Sequence, residues 1–306
     1  MLKHSISVIL PNYTGRSLLL SNIPSIVIAL EHAKCDFEII VVDDCSTDDS
    51  VDMLSKQFPF VKVIVNETNQ GFSYTCNRGI FNAKNSILCI VNTDVTFTPD
   101  YFTNGIRYFD DENNFAVKGN IINYQNNINE IVSIEKTAQL FINRGFLRFN
   151  KKVEYIPDSF TGETGGQFVL LGCCFMCSRD KALELKGFDE IFSPFYWEDS
   201  DLALRALRKG YKLVYEPSSV VYHKTSSTIP NFRSSTKIKL ISNRNKFIFS
   251  WKYLRGIKQW ISHIFYTLFN LSTRWIILDW KYYVSFFNAL IRIIRFKPMK
   301  TRISVS

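Results

Sequence analysis

Phe37-Glu38-Ile39-Ile40-Val41-Val42-Asp43-Asp44-Cys45-Ser46-Thr47-Asp48-Asp49-Ser50 runs from an apolar strand straight into acids and hydroxyls. Ser46 or Asp48 can cap a helix that continues to about Gln57. The same grammar lies on either side. Ile6 to Leu10 is a buried strand stopped by Pro11-Asn12, with a helical stretch from about Ser17 to His32. Val61 to Val65 is a strand, Tyr74 to Ala83 a helix, and Ile87 to Val91 a strand ending in Asn92-Thr93-Asp94. Near-continuous apolar strands separated by helices predict an α/β fold whose parallel sheet is covered on both faces. Ligands of such sheets bind beyond the carboxyl ends of the strands. Three of those ends carry Pro11-Asn12-Tyr13, Asp43-Asp44 and Asn92-Thr93-Asp94.

No Gly-x-Gly-x-x-Gly follows the first strand, which disfavours a dinucleotide fold, and no Gly-x-x-x-x-Gly-Lys-Ser/Thr is present, which excludes a P-loop. Carboxylates at strand ends suit hydrogen bonds to a base or ribose, and coordination of a divalent cation bridging phosphates. Turn and capping chemistry explains Asp43-Asp44 equally well. A second acidic cluster, Glu198-Asp199-Ser200-Asp201, follows Phe195-Tyr196-Trp197, and helical spacing begins at Leu202. Acids at a helix start are favoured by its unpaired N–H groups. Beside bulky apolar residues they can also be desolvated and made more basic.

The 306 residues, 46% of them hydrophobic, suffice for one large α/β domain with an appendage. Seven cysteines sit mostly in strand-like contexts without a zinc spacing, so they read as reduced thiols of a cytosolic protein. The chain goes from Met1-Leu2-Lys3-His4 straight into a strand, and no signal peptide is expected. From Thr236 to Ser306 there are fourteen Lys and Arg against one acid, Asp279, so the net charge of +9 belongs to this tail and the remainder is mildly acidic.

Fifteen aromatic residues between Phe247 and Phe296 are interleaved with that charge. The longest uncharged run there, Gln259 to Thr273, has fifteen residues, and a spanning helix needs about 20 apolar ones. Two amphipathic helices, around 257–271 and 280–296, are expected to lie on an anionic membrane surface. Packing on the main domain or against a second copy as a homodimer is the alternative. No nucleic-acid motif accompanies the basic tract, so no nucleic-acid partner is expected.

Val41-Val42-Asp43-Asp44-Cys45-Ser46-Thr47-Asp48, Asn69-Gln70-Gly71-Phe72 with Asn77-Arg78-Gly79, and Val91-Asn92-Thr93-Asp94-Val95 together resemble family 2 inverting glycosyltransferases of the GT-A fold. Gly187-Phe188-Asp189-Glu190, Trp197-Glu198-Asp199-Ser200-Asp201-Leu202 and Arg244-Asn245 continue the resemblance, which spans roughly residues 5–250. The nearest branch looks like bacterial rhamnosyltransferase-like enzymes of surface polysaccharide synthesis.

The resemblance implies a Rossmann-like, mostly parallel sheet flanked by helices, with C-terminal amphipathic helices. Residues 1–100 would bind the nucleotide sugar, 101–235 would supply acceptor binding and catalysis, and 236–306 would associate with membrane. It places Pro11, Asn12, Tyr13 and Asp44, with Asp43 beside them, at the base and ribose of the donor. Gly71 and Arg78 would lie near the phosphates. Asp94 matches the last acid of an Asp-x-Asp motif that holds Mg2+ or Mn2+; Asn92 replaces the first acid, and Thr93 stands between. His223 resembles a late histidine beside the metal, although a satisfied histidine at a strand end fits as well. Asp199 matches the general base; Gly172, Trp197 and Glu198 fall on the acceptor side, and Asp201 reads as a structural acid. The expected activity moves a hexose from a dTDP- or UDP-sugar to a lipid-linked saccharide, for O-antigen or capsule, at the cytoplasmic face of the inner membrane. A sugar nucleotidyltransferase and a catalytically inactive membrane scaffold are the alternatives.

Overall fold

The computed structural model describes residues 4–150, 159–160, 167–169, 172–224 and 234–296. The apolar runs of the first third fold as their spacing predicts: β1 (Ile6–Asn12), α1 (Arg16–Ala33), β2 (Phe37–Asp43), α2 (Ser50–Gln57), β3 (Lys62–Val65), α3 (Phe72–Asn82) and β4 (Ile87–Val91). β1 pairs in parallel with both β2 and β4, and β2 with β3, so the ends of β1, β2 and β4 share one edge. The register sets Asn12 directly opposite Asp43.

Then come β5 (Val95–Phe97), α4 (Tyr101–Ile106), β6 (Asn114–Tyr124), β7 (Ile131–Glu135), β8 (Ala138–Asn143), β9 (Phe146–Asn150), β10 (Ser159–Phe160) and β11 (Gln167–Val169). The chain continues through β12 (Cys174–Ser178), α5 (Arg179–Glu184), α6 (Glu198–Arg208), β13 (Lys212–Lys224), α7 (Ser235–Tyr253), α8 (Ile257–Thr273) and α9 (Trp280–Arg295). The main sheet runs β10-β13-β6-β12-β4-β1-β2-β3, with β5 and β7 attached, and β11-β8-β9 form a second small sheet. β12 is antiparallel to β4, with Cys174 opposite Val91, so β12 begins at the edge where β4 ends.

Two strands differ from the sequence reading. The apolar run from Phe168 to Cys174 reads in sequence as one strand, but it is interrupted. Residues 167–169 pair with β8 in the small sheet, while β12 starts only after Gly172, whose φ of +117° lies outside strand geometry. The run from Tyr211 to Pro217 reads in sequence as an edge strand; it is instead part of an interior strand between β6 and β10 that runs on to Lys224. Pro217 is tolerated because the β13–β6 register shifts between Glu216 and Val220, a bulge where no ladder N–H is required. Gly162-Glu163-Thr164-Gly165-Gly166, whose composition reads as a flexible loop, lies outside the described residues.

Two apolar cores cover the faces of the sheet. α7 is part of one of them: Phe247, Ile248, Phe249 and Tyr253 are buried beside Phe192 and Leu202. The basic aromatic segment is therefore two things, a core helix and then a helical pair, α8 and α9, with a largely uncovered face. Among the described residues no helix is long and apolar enough to cross a membrane.

Candidate active site

The carboxyl edge is built from its acids inward. At the end of β1, the Asn12 amide donates to Asp43 at 2.7 Å, and Asp43 also accepts from the Ser46 backbone N–H at 2.9 Å. These bonds fix the turn after β2. They leave the buried Asn12 Oδ1 without a hydrogen-bond partner among the described residues. Asp44 faces the other way and accepts from Asn66 Nδ2 at 2.7 Å, Gln70 N at 2.9 Å and Gly71 N at 2.8 Å. One buried carboxylate thus holds the loop that leads into α3. Gly71 has φ of +87°, and a Cβ there would stand 2.8 Å from Pro194 Cα, so only glycine fits. Arg78 secures the same loop from α3, donating to the Val65 carbonyl and Asn66 Oδ1, each at 2.8 Å. Pro11 and Tyr13 flank Asn12, half-buried on this edge.

After β4 the chain turns through Asn92-Thr93-Asp94. The Asn92 N–H donates to the Cys173 carbonyl at 2.9 Å, and the Thr93 carbonyl accepts from Asn22 at 2.8 Å. Asp94 is buried, and its Oδ1 lies 3.5 Å from His223 Nε2. His223 Nδ1 sits 2.7 Å from Asn123 Oδ1, while the Asn123 amide donates to Ser133. An amide oxygen only accepts, so Nδ1 donates to Asn123, and Nε2 is the ring nitrogen turned towards Asp94. The two residues read as metal ligands do meet. Among the described residues no three His, Cys, Asp or Glu gather into a closed metal site.

Asp199 opens α6. Its Oδ2 accepts from Gly172 N at 3.0 Å and its Oδ1 from Ser200 N at 2.6 Å. Burial raises its pKa above the usual carboxylate range, and those two N–H bonds pull against the rise. Glu198 beside it is pushed up to about 8, by burial first and by the Asp199 charge second. Its buried Oε2 has no hydrogen-bond partner among the described residues. Asp201 is occupied otherwise: Arg205 Nε at 2.7 Å, Lys252 Nζ at 2.6 Å and the Tyr253 hydroxyl at 2.6 Å surround it, which makes it a structural acid. The Trp197 ring packs between Phe149 and Phe249, with centroids 4.7 and 4.8 Å away, and its Nε1 donates to the Ser242 carbonyl.

Asn245 and Arg244 of α7 do work that residue reading did not assign. Buried Asn245 donates to the carbonyls of Phe192, Phe195 and Tyr196 at 2.6, 3.0 and 2.9 Å, and Arg244 to that of Ser193. They clamp the segment that delivers Glu198 and Asp199. The signal in the sequence was the pair Arg244-Asn245 itself, among other polar residues just before the aromatic run that starts at Phe247.

The family model for glycosyl transferase family 2 matches residues 7–181. The chain belongs to glycosyl transferase family 2. A protein named as an uncharacterized glycosyltransferase of Haemophilus influenzae is 25% identical over 292 residues, covering 92% of this chain and 90% of that one. Among solved structures, the Pyrobaculum calidifontis mannosyltransferase PcManGT in complex with GDP-Man and Mn2+ superposes with a TM-score of 0.57 at 14% identity, over 97% of this chain and 77% of that one. Staphylococcus aureus TarS residues 1–349 with UDP-GlcNAc gives 0.56 at 15% identity, over 88% and 73%. At these identities the likeness shows the fold, which is GT-A. As a member of this family the chain is a glycosyltransferase, and the nucleotidyltransferase alternative falls away.

Proposed function

We propose that this glycosyltransferase moves a hexose, with inversion, from a nucleotide-diphosphate sugar to a saccharide carried on a membrane lipid. One observation carries the reading: Asp199 and the Asn92–Asp94 turn are anchored to consecutive residues, Gly172 and Cys173. A base and a diphosphate site are thereby held side by side. Asn12, with Pro11, Tyr13 and the Asp43-Asp44 turn, takes the base and ribose, and the lone Asn12 Oδ1 supplies an acceptor for a donor N–H or O–H. Gly71 and Arg78 shape the loop beside the phosphates. Asp94 and His223 fit Mg2+ or Mn2+, which when bound supplies charge neutralisation for the departing diphosphate. With Asn92 in place of an acid, the ion depends more on the donor's own oxygens.

The acceptor lies over Gly172, Trp197 and Glu198. Its hydroxyl oxygen attacks the anomeric carbon while Asp199 takes the hydroxyl proton. The bond from that carbon to the phosphate oxygen breaks, and the electron pair leaves with the nucleoside diphosphate. One carboxylate positioned on the face opposite the leaving group suffices for a single displacement.

The tail supports a membrane-borne acceptor. α8 turns Ile257, Ile261, Ile264, Phe265 and Leu268 outward, and the turn before α9 exposes Trp275 to Leu278, with Leu278 82% accessible. An apolar ridge of this size on a strongly basic segment fits an anionic bilayer. On this reading the enzyme works peripherally on the cytoplasmic face of the inner membrane, in a rhamnosyltransferase-like role in O-antigen or capsule synthesis, with residues 1–100 binding donor, 101–235 acceptor, and the membrane contact carried by the segment after 236.

The test is calorimetric titration with a panel of dTDP-, UDP- and GDP-sugars plus Mn2+, then NMR of the product's anomeric configuration. Binding of one donor and an inverted product support the reading. A retained configuration removes the single displacement, and no donor binding leaves the inactive scaffold.

A further inference from the structure

β6 carries a lysine in the middle of the molecule. Lys118 follows Phe115-Ala116-Val117, all fully buried, and its own side chain is 1% exposed. Its Nζ lies 3.2 Å from Oε1 of Glu135, the last residue of β7. Burying an ammonium costs several kcal/mol even when it is paired, and an apolar residue of similar volume is often as good for stability. A fully buried lysine paired with a part-exposed glutamate therefore points to a task.

Its neighbours name the task. A Cβ built on Gly172 would stand 2.5 Å from Glu135 Oε1 and 3.3 Å from Lys118 Nζ, so the pair lies directly against the Gly172 backbone. That same peptide donates its N–H to Asp199 at 3.0 Å. Among the described residues, the charged groups acting on Asp199 from neighbouring strands are Lys118 of β6 and Glu135 of β7, and Glu198 and Asp201 flank it on α6. Glu135 opposes ionisation of Asp199 and Lys118 favours it.

We propose that Lys118 and Glu135 form a positioning pair, which holds the Gly172 peptide against Asp199 and balances the charge beside that carboxylate. The proposal rests on the reading of Asp199 as the base, and it adds residues that the acidic motifs do not contain. The two side chains bear on Asp199 with opposite charge, so the two single variants act in opposite directions.

The test uses the full chain as Lys118→Met, Glu135→Gln and the double variant. The Asp199 carboxyl is followed by carbon-13 NMR on aspartate-labelled protein and assigned by its loss in Asp199→Asn. Glu135→Gln is expected to lower the Asp199 midpoint and Lys118→Met to raise it, each by about half a unit or more, with the double variant near wild type. The acid limb of the kcat/KM profile should move the same way. A midpoint unmoved in Glu135→Gln, or shifts in the same direction in both singles, overturns the pair. If Lys118→Met does not fold, a downward shift in Glu135→Gln still supports it, and an upward one overturns it. Opposed shifts in a protein that transfers no sugar would support the pair and remove the catalytic role of Asp199.

Discussion

At Glu198, burial and the neighbouring Asp199 charge lift the carboxyl to about 8, from an ordinary value near 4.5. A group whose folded pKa is raised binds its proton more tightly in the native state. Stability is then fullest below the unfolded value and is lost as pH climbs from about 4.5 to about 8. Glu198→Gln keeps the shape without the charge. Its melting temperature should match wild type near pH 5 and exceed it by about 2 °C or more at pH 8.5, read by scanning calorimetry. A variant less stable than wild type at both pH values would contradict the burial argument. Residue identity alone pointed to Asp44, Asp94 and Asp199, because acids stacked at strand and helix ends have few uses in a core. It could not separate their jobs. Asp44 spends its oxygens on Asn66, Gln70 and Gly71, whereas Asp199 accepts from the distant Gly172 N–H and from the N–H and hydroxyl of its neighbour Ser200. That difference is set by loop geometry, which spacing does not encode.

Among the elements, the first four strands and three helices were legible because each is a local pattern, apolar at the right period and punctuated by Pro, Asn or Asp. β12 and β13 were misplaced because their limits are set by partners. Gly172 leaves strand geometry to meet Asp199, and Pro217 survives inside the sheet through a bulge against β6. The clamp from α7 was unreadable for the same reason, since Asn245 acts on carbonyls about fifty residues upstream. Asn245→Ala strips three carbonyl partners from the 192–196 segment. It should cost about 2–4 kcal/mol by urea denaturation and speed amide exchange around Glu198. Gly71→Ala meets the Pro194 backbone at 2.8 Å; with the added strain of a left-handed φ it should destabilise by about 1–3 kcal/mol, by the same measurement. Wild-type stability in either variant would show that the loops carrying the site are fixed elsewhere.

Across the molecule, charge and apolar surface are segregated. The acidic body gathers its carboxylates at one edge, and the basic tail ends in a ridge of uncovered Ile, Leu, Phe and Trp. The composition of the tail forecast both outer helices to within two residues at their ends. It did not reveal that α7 is core, because aromatic side chains serve a buried face and a lipid face alike. Ile277→Ser with Leu278→Ser should leave folding intact and reduce partitioning onto anionic vesicles, read by sedimentation, by about a hundredfold or more, given about 1.5–3 kcal/mol for each large apolar side chain inserted. Undiminished pelleting, or conversion of a dimer to a monomer instead, would move the ridge from lipid to protein.

Central to the whole account is one carboxylate on the diphosphate edge that accepts the acceptor's proton. Asp199→Asn, compared with wild type for transfer and for calorimetric binding of donor with Mn2+, isolates that step. The account predicts a fall in kcat of about a hundredfold or more with donor affinity unchanged; turnover at the wild-type rate would contradict it.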